Sequence, residues 1–235
     1  MIFNGIDFND YLVVERIRRK LLPPINIVSI NVPGDLGARF PTVQVESNII
    51  KVDVRIIEKD REAVQAKARE VAGLLFTREP KKLKLKDEPD KFNMAILQGD
   101  IDLEKFMNTG YAVLEFLCLD PLAYSDNIRS FQNINNKDII NNGTAPVFGK
   151  ITIKIVNESP NVKITLQNTG ENIFLEGPFV TNDILHIDLE TEVVTKNGIS
   201  IPASLDSDFF KIPPGTFRLT TTYGTIDLEF REGWL

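Results

Sequence analysis

The side chains able to do chemistry in this sequence are few, and they are scattered. The chain holds one histidine, His186, and one cysteine, Cys118. A closed zinc site draws four ligands from His and Cys, so this pair cannot build one. Cys118 lies in the apolar run YAVLEFLCL, where a thiol is read as a small buried hydrophobe rather than a nucleophile. His186 alternates within Ile184 to Leu189 and reads as a strand residue without a base or carboxylate partner. Asp87, Glu88 and Asp90 could offer oxygens to calcium. They lack the alternating ligand spacing and turn glycine of a calcium loop, and with Pro89 among them they read as an exposed turn between strands. Glu158, Glu171 and Glu176 are carboxylates of the kind a glycosidase pairs, but they sit near expected turns, and pairing is a matter of spatial separation. No phosphate-cradling loop, nucleophile elbow or dinucleotide fingerprint is present. The expectation is therefore no catalytic, cofactor-binding or metal-binding residues, and no enzyme.

The aromatic residues that could stack a sugar fare similarly. The one tryptophan, Trp234, stands next to the end of the sequence and is expected to plug the last strand or a neighbouring subunit. Phe209, Phe210 and Phe217 flank Pro213-Pro214-Gly215, and at least two of them are expected in a core.

The elements that would position these residues are mostly strands. One helix is predicted from Asp60 to about Phe76, with Val64, Ala68, Val71, Ala72 and Leu75 recurring at steps of three and four. Asp60 is suited to cap it and Glu62 to favour its dipole. Elsewhere the period is two. Val43, Val45, Val52, Val54 and Ile56 alternate with polar residues around Ser47-Asn48, which predicts a hairpin over Thr42 to Ile57 with one buried face. Tyr111 to Leu119 is dense enough in apolar residues for an interior strand, ended by Asp120-Pro121. After Tyr124 the texture shifts to Asn- and Gly-rich turns, then two strands around Ser159-Pro160-Asn161, then short strands at regular spacing, the pattern of an antiparallel sandwich. The expected domains are 1–130 and 131–235.

Bulk properties fit this picture. The 235 residues are 43% hydrophobic and 26% charged, an ordinary globular composition. No apolar run approaches a membrane span, and the start MIFNGIDFND lacks a signal-peptide pattern, so synthesis and folding in a cytoplasm are expected. The formal net charge of −6, with Lys and Arg dispersed, argues against direct nucleic-acid recognition.

In order, the motifs MIFNGIDFNDYLVVERI, TREPKKLKLKDEPDKFNMAIL, LEFLCLDPLAYS, NDILHIDLETEVVTKNG, SDFFKIPPGTFRL and the closing LEFREGWL span nearly the whole chain. Together they resemble the distal tail proteins of long-tailed, siphovirus-type bacteriophages and prophages. That resemblance implies a mainly β chain with one principal α-helix: an N-terminal α+β ring-forming domain followed by a C-terminal galectin-like antiparallel β-sandwich. It further implies a structural virion component at the distal end of the tail, a homo-hexameric ring joining the tail tube to the baseplate or tail-tip host-adsorption apparatus. Tail-tube, tape-measure and hub proteins would be its partners, and DNA could pass through the channel. Contacts between subunits are expected from the Thr42 to Ile57 hairpin and from Pro24 to Arg39, with Arg39 and Lys51 as the charges to reverse. A carbohydrate-binding module acting through the sandwich is the alternative, not favoured because the chain lacks the long insertions of sugar-binding members.

Overall fold

The computed structural model describes residues 1–31, 38–99 and 109–235. The chain divides into two compact units, Met1–Ala123 and Tyr124–Trp234.

In the first unit the strands are β1 (Ile2–Phe3), β2 (Ile6–Asp7), β3 (Val13–Arg18), β4 (Ile25–Asn31), β5 (Ala38–Val45), β6 (Asn48–Arg55), β7 (Lys81–Lys84), β8 (Lys91–Gln98) and β9 (Tyr111–Cys118). Helix α1 (Arg61–Leu75) lies between β6 and β7. The main sheet runs β2-β1-β7-β8-β9-β6-β3. The sheet changes partners within β8: Asn93 to Ala95 pair with β7, and Ile96 to Gln98 pair with β9. Strands β6 and β9 are antiparallel along their full length, from Asn48↔Cys118 to Arg55↔Tyr111. Their alternation sends Ile50, Val52, Val54, Ala112, Leu114, Phe116 and Cys118 into one core with Phe3, Phe8 and Leu83.

Helix α1 forms where the sequence predicts it. The Asp60 side chain accepts from the Ala63 N–H at 2.8 Å, satisfying one of the orphan donors of the first turn. Ala68, Val71 and Leu75 are its buried stripe and join the same core. Small residues on that stripe let the helix lie close to the strands.

The predicted hairpin over Thr42 to Ile57 is not what forms. Strand β5 pairs with β4 as a separate two-stranded ribbon, while β6 inserts between β3 and β9 in the main sheet. The alternation is present in both strands, but only β6 has its apolar face covered.

The second unit follows β10 (Ala123–Ser125), which spans the division, and closes on β21 (Gly233–Trp234). Between them lie β11 (Arg129–Phe131), β12 (Asp138–Asn141), β13 (Gly149–Ile155), β14 (Ser159–Leu166), β15 (Asn172–Phe179) and β16 (Ile184–Asp188). Then come β17 (Val193–Lys196), β18 (Ile199–Ile201), β19 (Gly215–Thr221) and β20 (Gly224–Phe230). They form a six-stranded sheet, β11-β20-β13-β16-β17-β18, and a four-stranded sheet, β12-β19-β14-β15. Ile151, Ile153, Ile164, Leu166, Leu185, Leu219 and Leu228 are fully buried at alternating positions, as the inner faces of an antiparallel sandwich require. The strands expected around Ser159-Pro160-Asn161 separate: β13 belongs to one sheet and β14 to the other, and Ser159 already opens β14 with a bulge before Asn161. The connection is residues 156–158, a crossing between layers rather than a hairpin.

A buried carboxylate holds one end of this unit. Asp183 accepts from the Val180 N–H at 2.8 Å, from Lys196 Nζ at 2.9 Å and from Asn197 Nδ2 at 2.8 Å. The Val180 N–H, then Lys196 and Asn197, pull its pKa down from 3.8 to about 2. Because the folded value is depressed, this carboxylate stabilises the fold above its ordinary pKa, and the contribution is lost as pH falls toward 2. Asp183→Asn is expected to lower stability at neutral pH and to flatten its pH dependence between 4 and 2. Chemical denaturation of both proteins across that range checks it; parallel curves would refute it.

Candidate assembly surface

Each residue singled out above for possible chemistry has a structural place. Cys118 is fully buried in the first core, and burial, with Asp120 nearby, pushes its thiol up to about 11. A protonated, enclosed thiol is a poor nucleophile. His186 is on the outer face of β16, its Nδ1 3.0 Å from Thr152 Oγ1 across the strand pair. Phe210 and Phe217 are buried in the sandwich core and Phe209 is half-buried. Trp234 is half-buried in β21. Glu158 stands exposed in the 156–158 crossing, Glu171 accepts from Thr169 Oγ1 at 2.6 Å, and Glu176 is exposed along β15. Among the described residues no group of three or more His, Cys, Asp or Glu is placed to hold a metal ion.

The acidic turn is tied up in ion pairs. Arg19 donates to both oxygens of Asp87, at 2.8 and 2.7 Å, and also to Glu88, while Lys91 Nζ donates to Glu88 at 2.8 Å. The Lys91 hydrogen bond holds the Glu88 carboxyl below its usual range, burial opposes this, and the Arg19 charge adds to it. The carboxylates that could have faced a cation therefore face a guanidinium and an ammonium. Arg19 directly follows β3 and precedes the segment that opens the ribbon, so the pair anchors the root of that ribbon to the β7–β8 turn. Sequence reasoning missed this role; the only signal for it was the Arg18-Arg19-Lys20 run.

The ribbon is the surface that stands out. Its register sets Ile25 opposite Val45 and Ile27 opposite Val43, which puts all four side chains on one face. They are 50%, 49%, 62% and 44% exposed, whereas Val52 and Val54 of β6 are at 0%. Leu21 and Leu22, just before β4, are exposed as well. A two-stranded ribbon is marginal in water by itself. Covering these four side chains would stabilise it by on the order of 1 kcal/mol each. The expected contact segment Pro24 to Arg39 includes β4, but its Pro33-Gly34-Asp35-Leu36-Gly37 centre and the Arg39 side chain lie outside the described residues. Lys51, the other charge chosen for reversal, is paired with Glu115 on the adjacent strand β9. A Lys51→Glu change would set two carboxylates side by side within one subunit, so it reports on the sheet itself and not on a contact between subunits.

Next to the ribbon's root, β3 is one of the two end strands of the main sheet among the described residues, β2 being the other. Strand β3 carries a bulge between Val14 and Arg16; Glu15 pairs with Arg55 at 2.7 Å, and Arg18 pairs with Asp53. A bulged, charged edge resists unspecific strand pairing. The first unit thus offers a defended edge beside an undefended apolar ribbon face.

The family model for a phage tail protein RIFT-related domain matches residues 6–118. The model for a siphovirus-type tail component, C-terminal domain, matches residues 142–234. The distal tail protein of Bacillus phage SPP1 is 24% identical over 234 residues, covering 96% of this chain and 92% of that protein. The crystal structure of the SPP1 Dit protein, described as a paradigm of the hub adsorption apparatus in phages infecting Gram-positive hosts, superimposes with a TM-score of 0.82 at 19% identity, covering 100% of this chain and 98% of that one. A chain of the phage P2 baseplate in its activated conformation gives 0.48 at 9% identity, over 95% of this chain and 91% of that one. The fold is accordingly mainly β with one principal helix, an N-terminal α+β unit followed by a galectin-like antiparallel sandwich.

Proposed function

We propose that this chain, which belongs to the distal tail protein family of siphovirus-type phages, closes into a homo-hexameric ring through its first unit and joins the tail tube to the baseplate or tail-tip hub. The chain is a structural tail component. The observation that carries the proposed ring is the ribbon β4–β5, whose four cross-paired branched aliphatics are about half exposed. A cyclic ring needs heterologous contacts, one patch of a subunit meeting a different patch of the next. An apolar ribbon face that its own subunit leaves open is suited to be one of the two patches. Assembly, not catalysis, is then the mechanism, with the sandwich carried on the ring.

Light scattering behind size exclusion at rising concentration, followed by negative-stain imaging, tests this. The expected result is a hexamer mass with ring images for the parent protein, and monomers for Ile27→Asp combined with Val43→Asp. These two side chains lie outside the core, so the far-ultraviolet spectrum of the variant should match the parent. A ring that survives the double change would sink the ribbon's role. A strict monomer at every concentration, also after mixing with a tail-tube protein, would move the assignment toward glycan recognition by the sandwich.

A further inference from the structure

Open strand edges are where sheets from different copies join, and the four edges of the two large sheets in the second unit are unequal. Strands β11 and β18 have three residues each and β12 has four, but β15 has eight. Short edges are a defence in themselves; β15 needs another. In its pairing with β14, Asn172, Phe174 and Glu176 turn their backbone polar groups outward, since Glu171 O accepts from Leu166 N on the inner side. The outward groups of the first half are taken by the segment between β18 and β19. Ser204 N donates to Phe174 O at 2.9 Å, and Asp208 N donates to Asn172 O at 2.7 Å. The Ser207 hydroxyl accepts from Phe174 N at 3.0 Å and donates to Phe174 O at 3.1 Å. The second half is guarded by other means. Glu176 presents an exposed charge, Pro178 has no N–H, and Pro178 O accepts from Lys196 Nζ at 2.9 Å.

We propose that residues 202–208 are a guard strap, occupying the place of a fifth strand on β15 and closing that edge to strand addition from a second copy of this chain. The strap spends its own backbone and one hydroxyl to cap alternate residues, and it leaves Leu205 fully exposed at its tip, so core filling does not explain its course. It contributes no continuing strand of its own, and so presents no new edge.

The test uses the full chain. Ser207→Ala with Asp208→Pro removes three of the four bonds that hold the strap; Ser207→Ala alone, which keeps the backbone intact, is the milder variant. Hydrogen exchange at the Phe174 amide reports whether the strap has left, and sedimentation velocity reports association. Release of the strap is expected to raise the association constant at least about ten-fold over the parent protein. Adding Phe174→Lys at the same edge should return the parent's behaviour. A released strap with unchanged association would overturn the proposal. So would a Phe174 amide still protected in both variants at a dilution where they do not associate, or association that persists with Phe174→Lys. The parent's own oligomeric state is the baseline of each comparison, so failure of the proposed ring leaves this test intact.

Discussion

Phe116→Ala is expected to destabilise the first unit by about 3–5 kcal/mol, as a fully buried aromatic truncated in a packed core does. Phe116 lies in the interior strand β9, between Ile50 of β6 and Leu97 of β8, and is inaccessible to solvent. Its ring packs at 5.2 Å from that of Phe3, tilted by 53°. The residue thus ties the opening β1 strand to the centre of the sheet, so its loss leaves a cavity bordered by three strands. Against a typical domain stability of about 5–15 kcal/mol, that loss is a large share. Chemical denaturation should show the drop, and hydrogen exchange should place it in β6 and β9. A loss below about 1 kcal/mol would mean that the core closes elsewhere.

Gly143→Ala should cost about 2–3 kcal/mol by overpacking against backbone that has little freedom to yield. A Cβ at position 143 would come within 2.4 Å of Gly233 O and 2.8 Å of Gly233 N. That carbonyl already accepts from the Thr144 N–H at 2.9 Å and the Ala145 N–H at 3.1 Å, holding β21 to the 142–145 segment. The Asn141 side chain, itself buried, accepts from the Gly143 N–H at 3.0 Å. The methyl group therefore cannot be accommodated by a rotamer change; one of these backbone bonds must lengthen. Thermal unfolding of the variant and exchange at the Thr144 and Ala145 amides check it. Unchanged exchange at both amides together with an unchanged midpoint would refute the account.

Much of this molecule was legible from residues alone. The α1 boundaries followed from the Asp60 cap and a three-and-four apolar period, both of which act within a turn or two of chain. The buried faces of β6, β13 and β14 followed from alternation, the interior place of β9 and of Cys118 from the dense apolar run YAVLEFLCL, and the expectation that at least two of Phe209, Phe210 and Phe217 are in a core is met by Phe210 and Phe217. The acidic segment at Asp87 was read as a turn, and it is one, closed by Glu88 N to Leu85 O and Lys91 N to Glu88 O. The ribbon was half legible. Alternation at Val43 and Val45 marked an apolar face, but the strand that pairs with Thr42 to Val45 was misassigned to its sequence neighbour, and Ile25 and Ile27 were not read as its partners. The anchoring of Arg19 had only the Arg18-Arg19-Lys20 run as a signal, and the strap over β15 had none.

The division has one physical cause. Periodicity, caps and turn residues are set by interactions within a few residues, so composition and spacing determined which segments are helix or strand and which side of each is apolar; the family came separately, from the resemblance of the ordered motifs. Strands are joined through backbone N–H and C=O groups, and these are the same in every residue but proline, so they carry little record of which strands meet. The choice of β4 over β6 as the partner of β5, and of opposite layers for β13 and β14, therefore came only with the tertiary structure. So did the exposure of the ribbon, because a pattern of valines and isoleucines states that a face is apolar and is silent on what, if anything, covers it.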